Sequence, residues 1–161
     1  MSDSEPHSRS TKVGASPPAT SDHARRTMQA NRRRDTSPEI AVRQHLHRRG
    51  LRYRVDFRLS PPLRTRADIV FPKKRLAIFI DGCFWHSCPI HGTTPKRNSE
   101  YWIPKLERNA ERDRETDRAL VALGWRVFHF WEHEDPLAVA QVIEKAVNSP
   151  SEVTVPGIQT L

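Results

Sequence analysis

The chain has 161 residues, 29% of them charged, a formal net charge of +8 and a pI near 10.2. That length holds about one domain, and the cationic excess points to an anionic partner, nucleic acid ahead of a membrane surface. No apolar run approaches a membrane span and the N-terminus is polar rather than a signal peptide, so the expectation is a cytoplasmic protein without membrane attachment.

Residues 1–24 are rich in Ser, Thr, Pro and His and read as a disordered tail. Residues 25–36 follow as a basic arm, with Arg25, Arg26, Arg32, Arg33 and Arg34 placed to order against DNA phosphates. The folded domain is expected over 37–148, and 149–161 reads as a C-terminal tail. Thr36-Ser-Pro-Glu39 carries helix-start chemistry: Thr36 to cap, Pro38 in the first turn, Glu39 to complete a capping box. That helix is expected to run to about Arg49 and stop at Gly50, burying Ile40, Val42 or the stem of Arg43, and Leu46. Glu39 thus has a structural role from its position alone.

Tyr53, Val55 and Phe57 alternate with arginines, the period of a half-buried strand with a basic outer face. Residues 43–75 hold eleven Lys and Arg against Asp56 and Asp68 alone, so the basic excess is concentrated in this region. Two more strands are expected at Ala67–Phe71 and Leu76–Ile80, joined by Pro72-Lys-Lys-Arg75. A long charged helix from Asn98 or Ser99 to Leu123 ends at Gly124. A strand over Trp125–Trp131 and an amphipathic helix over Leu137–Val147, with Leu137 in its apolar set, complete the order. Helix, three strands, helix, strand, helix is an α/β layout with a mixed sheet between helices.

Pairing Phe71 with Leu76 across the turn sets Asp68 opposite about Phe79, at the same hairpin end as Asp81. Two carboxylates beside a basic surface suit Mg²⁺, which takes hard oxygen ligands. The plainer alternatives are a turn role for Asp81 and an ion pair from Arg66 to Asp68.

The stretch Asp81-Gly-Cys-Phe-Trp-His-Ser-Cys-Pro-Ile-His91 holds both cysteines of the chain. Cys83, Cys88 and His91 suit a loop wrapped round one zinc, with His133 after the last strand as a fourth donor and His86 as its competitor. If His133 is the fourth ligand, His86 is left beside the carboxylates as a general base for water. Phe84 and Trp85, with Trp102 as a third aromatic, are of the kind that wedge between base steps.

These motifs resemble the very-short-patch repair (Vsr) endonucleases, which nick DNA beside T:G mismatches. The resemblance runs from about Arg25 to Glu134, through Thr36-Ser-Pro-Glu39, Arg66-Ala-Asp68, Asp81-Gly-Cys-Phe-Trp-His86, Pro95-Lys96, Tyr101-Trp102, Arg108-Asn109, Arg112-Asp113, Gly124-Trp125-Arg126 and Trp131-Glu132. It implies a restriction-endonuclease-like mixed sheet flanked by helices, with a zinc-braced loop and catalytic magnesium. Asp68 matches the essential metal-binding aspartate, and the Ile80 carbonyl a backbone ligand, with Asp81 beside them. His86 matches the base, Glu39 a glutamate near it and Asp113 an acid near the site. Phe84, Trp85 and Trp102 match the intercalating aromatics, and 25–34 an arm that clamps DNA.

The chain departs from the family pattern at Ile80-Asp81, where Thr-His is usual, and at His133, where a cysteine commonly stands. The resemblance implies Mg-dependent nicking of one strand 5′ to the mispaired T by a monomer, associated with the nucleoid when bound, with mismatch-repair proteins as candidate partners. A non-catalytic zinc-containing DNA-binding module and a restriction-type nuclease acting on paired DNA are the alternative readings.

Overall fold

The computed structural model describes residues 34–61, 63–92 and 98–149. Arg25, Arg26, Arg32, Arg33, the expected N-terminal tail, Pro95-Lys96 and all of the expected C-terminal tail except Ser149 lie outside the described residues. Helix α1 spans Ser37–Arg48, with Pro38 in its first turn, and closes where Gly50 takes φ +75°. Its start differs from the expected capping box. The Thr36 side chain does not cap a backbone N–H; its hydroxyl donates to Glu39 Oε1 at 2.8 Å, and Glu39 Oε2 accepts from Asp35 N at 3.0 Å. Glu39, Val42 and Leu46 form the buried stripe, at helical spacings of three and four. Ile40, expected inside, lies about 100° round the helix from Glu39 and is exposed.

Strands β1 (Arg54–Arg58), β2 (Arg66–Phe71) and β3 (Leu76–Asp81) form an antiparallel meander. A single 3-10 turn, Pro72–Lys74, joins β2 to β3, and Phe71 pairs with Leu76 as the hairpin argument requires. Helix α2 (Ser99–Ala122) then crosses over, and β4 (Arg126–Trp131) returns parallel to β3, giving the order β1-β2-β3-β4. Gly124 ends α2 at φ +81°. Helix α3 (Pro136–Asn148) closes the chain, capped by Asp135, whose carboxylate accepts from Ala138 N at 2.9 Å.

Alternation along the strands divides the core between the two faces of the sheet. Ile69, Phe71, Leu76, Ile78 and Phe130 pack under α1 and α3 with Val42, Leu46, Val139, Ala140, Ile143 and Val147. Val70, Ala77 and Trp125 pack with Leu120 of α2 on the other face. Leu137, expected in the apolar set of α3, is exposed because it precedes the Val139-Ala140-Ile143-Val147 stripe and falls off its line. Each fully buried Leu or Ile contributes about 1.5–3 kcal/mol. Among the described residues no helix is long and apolar enough to cross a membrane.

Candidate active site

A cleft of about 700 Å³ opens between the sheet and α2, and Glu39, Asp56, Asp68, Asp81, His86, Asp113, Asp117 and His129 all line it. The hairpin register explains the first pair. Ile69 faces Ile78, so Asp68 falls opposite Phe79, and its Oδ2 accepts from Ile80 N at 2.7 Å. Arg66 does not pair with Asp68; it reaches Asp56, whose Oδ1 lies 2.7 Å from its Nε. Asp68 is therefore held by backbone where it lines the cleft. Arg34, the one of the five expected arm arginines within the described residues, lies 3.7 Å from Asp56.

Helix α2 supplies the opposite wall. Asp113 and Asp117 stand one helical turn apart on one face. Asp113 Oδ2 lies 2.8 Å from His86 Nδ1, and Asp117 Oδ1 lies 3.1 Å from His129 Nε2. Asp81, only 9% exposed, completes the array: its Oδ2 is 2.6 Å from His129 Nδ1 and its Oδ1 is 3.8 Å from His86 Nε2. Glu39 enters the cleft from the start of α1, so the carboxylate that organises the helix start is also part of the site.

This concentration of acids sets the protonation of the site. Burial pushes the Asp68 carboxyl up to about 7; the Ile80 N–H works against that, and the nearby charges of Glu39, Asp81 and Asp56 add to it. The hydrogen bond to Asp113 raises His86 above its ordinary value, burial opposing and Asp81 assisting. For Asp113, burial favours the neutral acid, but the His86 hydrogen bond and charge outweigh it and hold the carboxyl below the usual range. For His129, burial favours the neutral ring, yet Asp117 and Asp81 together push it up to about 10.

A second cluster sits beside the cleft. The ligand atoms of Cys83, Cys88, His91 and His133 all lie within 4.8 Å of one another. Cys83 Sγ is 3.1 Å and Cys88 Sγ 3.8 Å from His133 Nδ1. Ligands on a tetrahedron around zinc stand about 3.3–3.8 Å apart, from bond lengths near 2.0–2.3 Å, so this donor set fits that ion. The loop is closed by Cys88 N to Cys83 O at 2.9 Å and by Gly92 N to Cys88 O at 2.6 Å. A side chain at Gly92 would collide with the Cys88 carbonyl. Cys83 N donates to Glu132 Oε1 at 2.8 Å, tying the loop to the end of β4, where His133 follows.

Phe84, Trp85 and Trp102 form one aromatic group, with ring centroids 5.1 to 5.9 Å apart. Trp102 is buried within it, while Phe84 and Trp85 are half-buried, and the Lys105 ammonium lies 5.1 Å from the Trp102 ring. Apart from Arg34, the structure thus brings the candidate residues it describes into three adjoining groups.

Sequence reasoning missed His129, Asp117 and Asp56. Asp117 was accessible as the acid four residues after Asp113. His129 was not, because its place beside Asp81 depends on a parallel pairing that only the α2 crossover creates. Asp56 faces Asp68 by register and adopts φ +48°, a left-handed conformation that Asp tolerates better than most residues.

A mixed four-stranded sheet with an acid–histidine cleft at its strand ends defines an α/β protein whose site lies between sheet and crossover helix. Comparison with known sequences agrees with that class and narrows it. The profile of the family described as DNA mismatch endonuclease Vsr matches residues 19–91. The type II nicking enzyme V.NaeI of Lentzea aerocolonigenes is 52% identical over 122 residues, 74% of each chain. The type II nicking enzyme V.XorIIP of Xanthomonas oryzae is 46% identical over 109 residues, covering 66% of this chain and 77% of that one. The DNA mismatch endonuclease Vsr of Escherichia coli is 38% identical over 109 residues, 66% of this chain and 67% of its own. The chain belongs to the Vsr family of DNA mismatch endonucleases. Its mixed sheet is accordingly a restriction-endonuclease-like fold.

Proposed function

We propose that the protein is a DNA endonuclease that nicks one strand 5′ to the mispaired T of a T:G mismatch by Mg-dependent phosphodiester hydrolysis. The observation that carries this is the convergence of Asp68 and His86 on one cleft also lined by Arg64, Arg66 and Arg112. Asp68 and the Ile80 carbonyl are the residues to hold magnesium, which supplies Lewis-acid stabilisation at the scissile phosphate when bound. The acidity of the cleft supports a cation there: a carboxyl held up to about 7 gains most from a positive partner.

His86 donates its Nδ1 proton to Asp113, which leaves the Nε2 lone pair to take a proton from the attacking water. Glu39 adds negative charge beside Asp68. Phe84 and Trp85 face the base stack with Trp102 as the platform behind them, and a mismatch lowers the cost of unstacking. Zinc at Cys83, Cys88, His91 and His133 braces the loop that presents them. Arg25, Arg26, Arg32, Arg33 and Arg34 are assigned to the DNA backbone, and the enzyme acts as a monomer.

The test is strand nicking of end-labelled T:G, other mismatched and fully paired duplexes, with and without Mg²⁺. A Mg-dependent nick on the T strand of T:G, lost in Asp68→Ala while binding persists, is the expected result. DNA binding without cleavage of any duplex would leave only a zinc-containing binding module. Two relatives are named type II nicking enzymes, words that specify a nick but no mismatch, so a restriction-type nuclease acting on paired DNA is kept as the second reading. Equal nicking of paired and mismatched duplexes would establish that reading instead.

A further inference from the structure

We propose that His129 is a positioning residue of this site: it fixes Asp81 as the carboxylate that faces His86, so that Asp81 orients and supports the base instead of holding metal. The inference rests on the assignment of His86 as the base.

Five side chains form one line, Asp113–His86–Asp81–His129–Asp117. Contacts of 2.8, 2.6 and 3.1 Å fix three of its four links, and the fourth, His86 Nε2 to Asp81 Oδ1, is 3.8 Å. Both ends are anchored on the same face of α2, one turn apart. The middle is anchored on the sheet, where β3 and β4 run parallel and Phe79 pairs with His129. The His129 ring also stacks on Phe79, with centroids 4.9 Å apart and planes 12° from parallel. Its orientation is thus over-determined, and Asp81 inherits that orientation through the short contact at Oδ2.

Both nitrogens of His129 face carboxylates. A neutral imidazole has one donor and one acceptor, so two carboxylate partners are satisfied together only by a ring bearing two N–H groups. That places positive charge directly on Asp81, which disfavours a dication on the same carboxylate. Among the described residues no histidine or other cation is hydrogen-bonded to Asp68; its company in the cleft is a backbone N–H and other acids. The 3.8 Å separation at His86 Nε2 is longer than a hydrogen bond, and such contacts commonly tighten when substrate binds. Once Nε2 has taken the proton from water, Asp81 Oδ1 is the carboxylate that faces the new N–H.

Three substitutions separate the contacts. His129→Phe keeps the stacking on Phe79 and loses both hydrogen bonds. His129→Asn retains a donor near the Nδ1 position toward Asp81, and His129→Gln one near the Nε2 position toward Asp117. On T:G duplex, His129→Phe and His129→Gln are expected to lower kcat by about 10–100-fold with KM little changed, and His129→Asn to recover most of the loss. The ring ¹⁵N and ¹H resonances of His86, measured without magnesium or DNA, are expected to move in His129→Phe and to return toward wild type in His129→Asn.

Wild-type-like kcat in His129→Phe overturns the proposal, as does a loss shared equally by Asn, Gln and Phe. Asp81→Asn distinguishes the metal role: an unchanged Mg²⁺ activation midpoint with lowered kcat agrees, whereas a midpoint raised about tenfold with kcat recovered at saturation makes Asp81 a ligand. If the wild-type protein nicks no duplex, the activity assignment fails by itself. The His86 resonances still decide whether His129 sets the environment of that ring, and unmoved resonances in His129→Phe overturn the coupling.

Discussion

Replacing Asp68 by Asn should make the magnesium-free protein more stable, and more so at higher pH. The folded chain holds this carboxyl at about 7 against an ordinary 3.8, through burial first and then the negative charges of Glu39, Asp81 and Asp56. A tenfold change in a protonation equilibrium is about 1.4 kcal/mol, so the ionised carboxylate costs the fold on the order of 4 kcal/mol as a ceiling. Between 3.8 and about 7 the folded state binds more protons than the unfolded state. Wild-type stability therefore falls as pH rises through that window, and the full cost is present above it. Asn carries no charge and its carbonyl can accept the same Ile80 N–H. Allowing for water reaching a half-buried group, the gain at pH 8 should be about 2 kcal/mol, a rise in Tm of roughly 5–10 °C for a domain of this size. The gap should narrow as pH is lowered toward 5. Thermal melts in magnesium-free buffer with zinc retained measure it, and added Mg²⁺ should close the gap by stabilising only the wild type. An Asn variant no more stable than wild type at pH 8 would refute the view that Asp68 is held in an unfavourable ionised state awaiting a cation.

The other expectations concern separate groups. His86→Ala should lower nicking by about 10²–10⁴-fold while gel-shift affinity for T:G duplex stays near wild type; unchanged rates would remove His86 as the base. Because His86 must be neutral to take a proton and Asp113 raises it above the ordinary 6.5, the rising limb of the pH–rate profile should lie alkaline of 6.5. Asp113→Asn should move that limb toward acid pH, and a limb that stays in place would assign it to another group. Cys83→Ser should reduce bound zinc from one per chain, by elemental analysis, and lower stability by about 3 kcal/mol or more, whereas full stability without zinc would mean the loop needs no metal. Trp102→Ala should cost about 3–5 kcal/mol because the ring is buried, while Trp85→Ala should leave the melt almost unchanged and weaken the preference for mismatched duplex.

What the sequence made legible and what it hid divide along contact range. The β2–β3 hairpin was readable because a short turn fixes register, and Asp68 opposite Phe79 followed from counting. The ligands Cys83, Cys88 and His91 were readable because they share one loop, and His133 because it follows the strand that closes the sheet. Glu39 shows how a local explanation can be incomplete rather than wrong. It does help build the helix start, through Thr36 and Asp35, but the α1 N-terminus happens to abut Asp68, a fact carried by packing across the sheet. Ile40 and Leu137 were misplaced because an apolar residue beside an amphipathic stripe satisfies the same periodicity to within one position.

His129 is the hardest case. In a run reading Arg-Val-Phe-His-Phe-Trp it looks like a polar interruption of a core strand, and nothing local distinguishes it from a solvated edge position. Its meaning comes from the departure at Asp81. Where the resemblance implies a histidine, this chain has a carboxylate, and the parallel neighbour of β3 brings an imidazole 2.6 Å from it. An acid introduced into a cleft already crowded with acids would by itself raise the repulsion felt by Asp68. A histidine cation on its far oxygen offsets that charge and leaves the near oxygen directed at His86. The carboxylate at position 81 is therefore accommodated in this site by what stands at position 129, which makes the pair, and not either residue alone, the unit on which mutation should act.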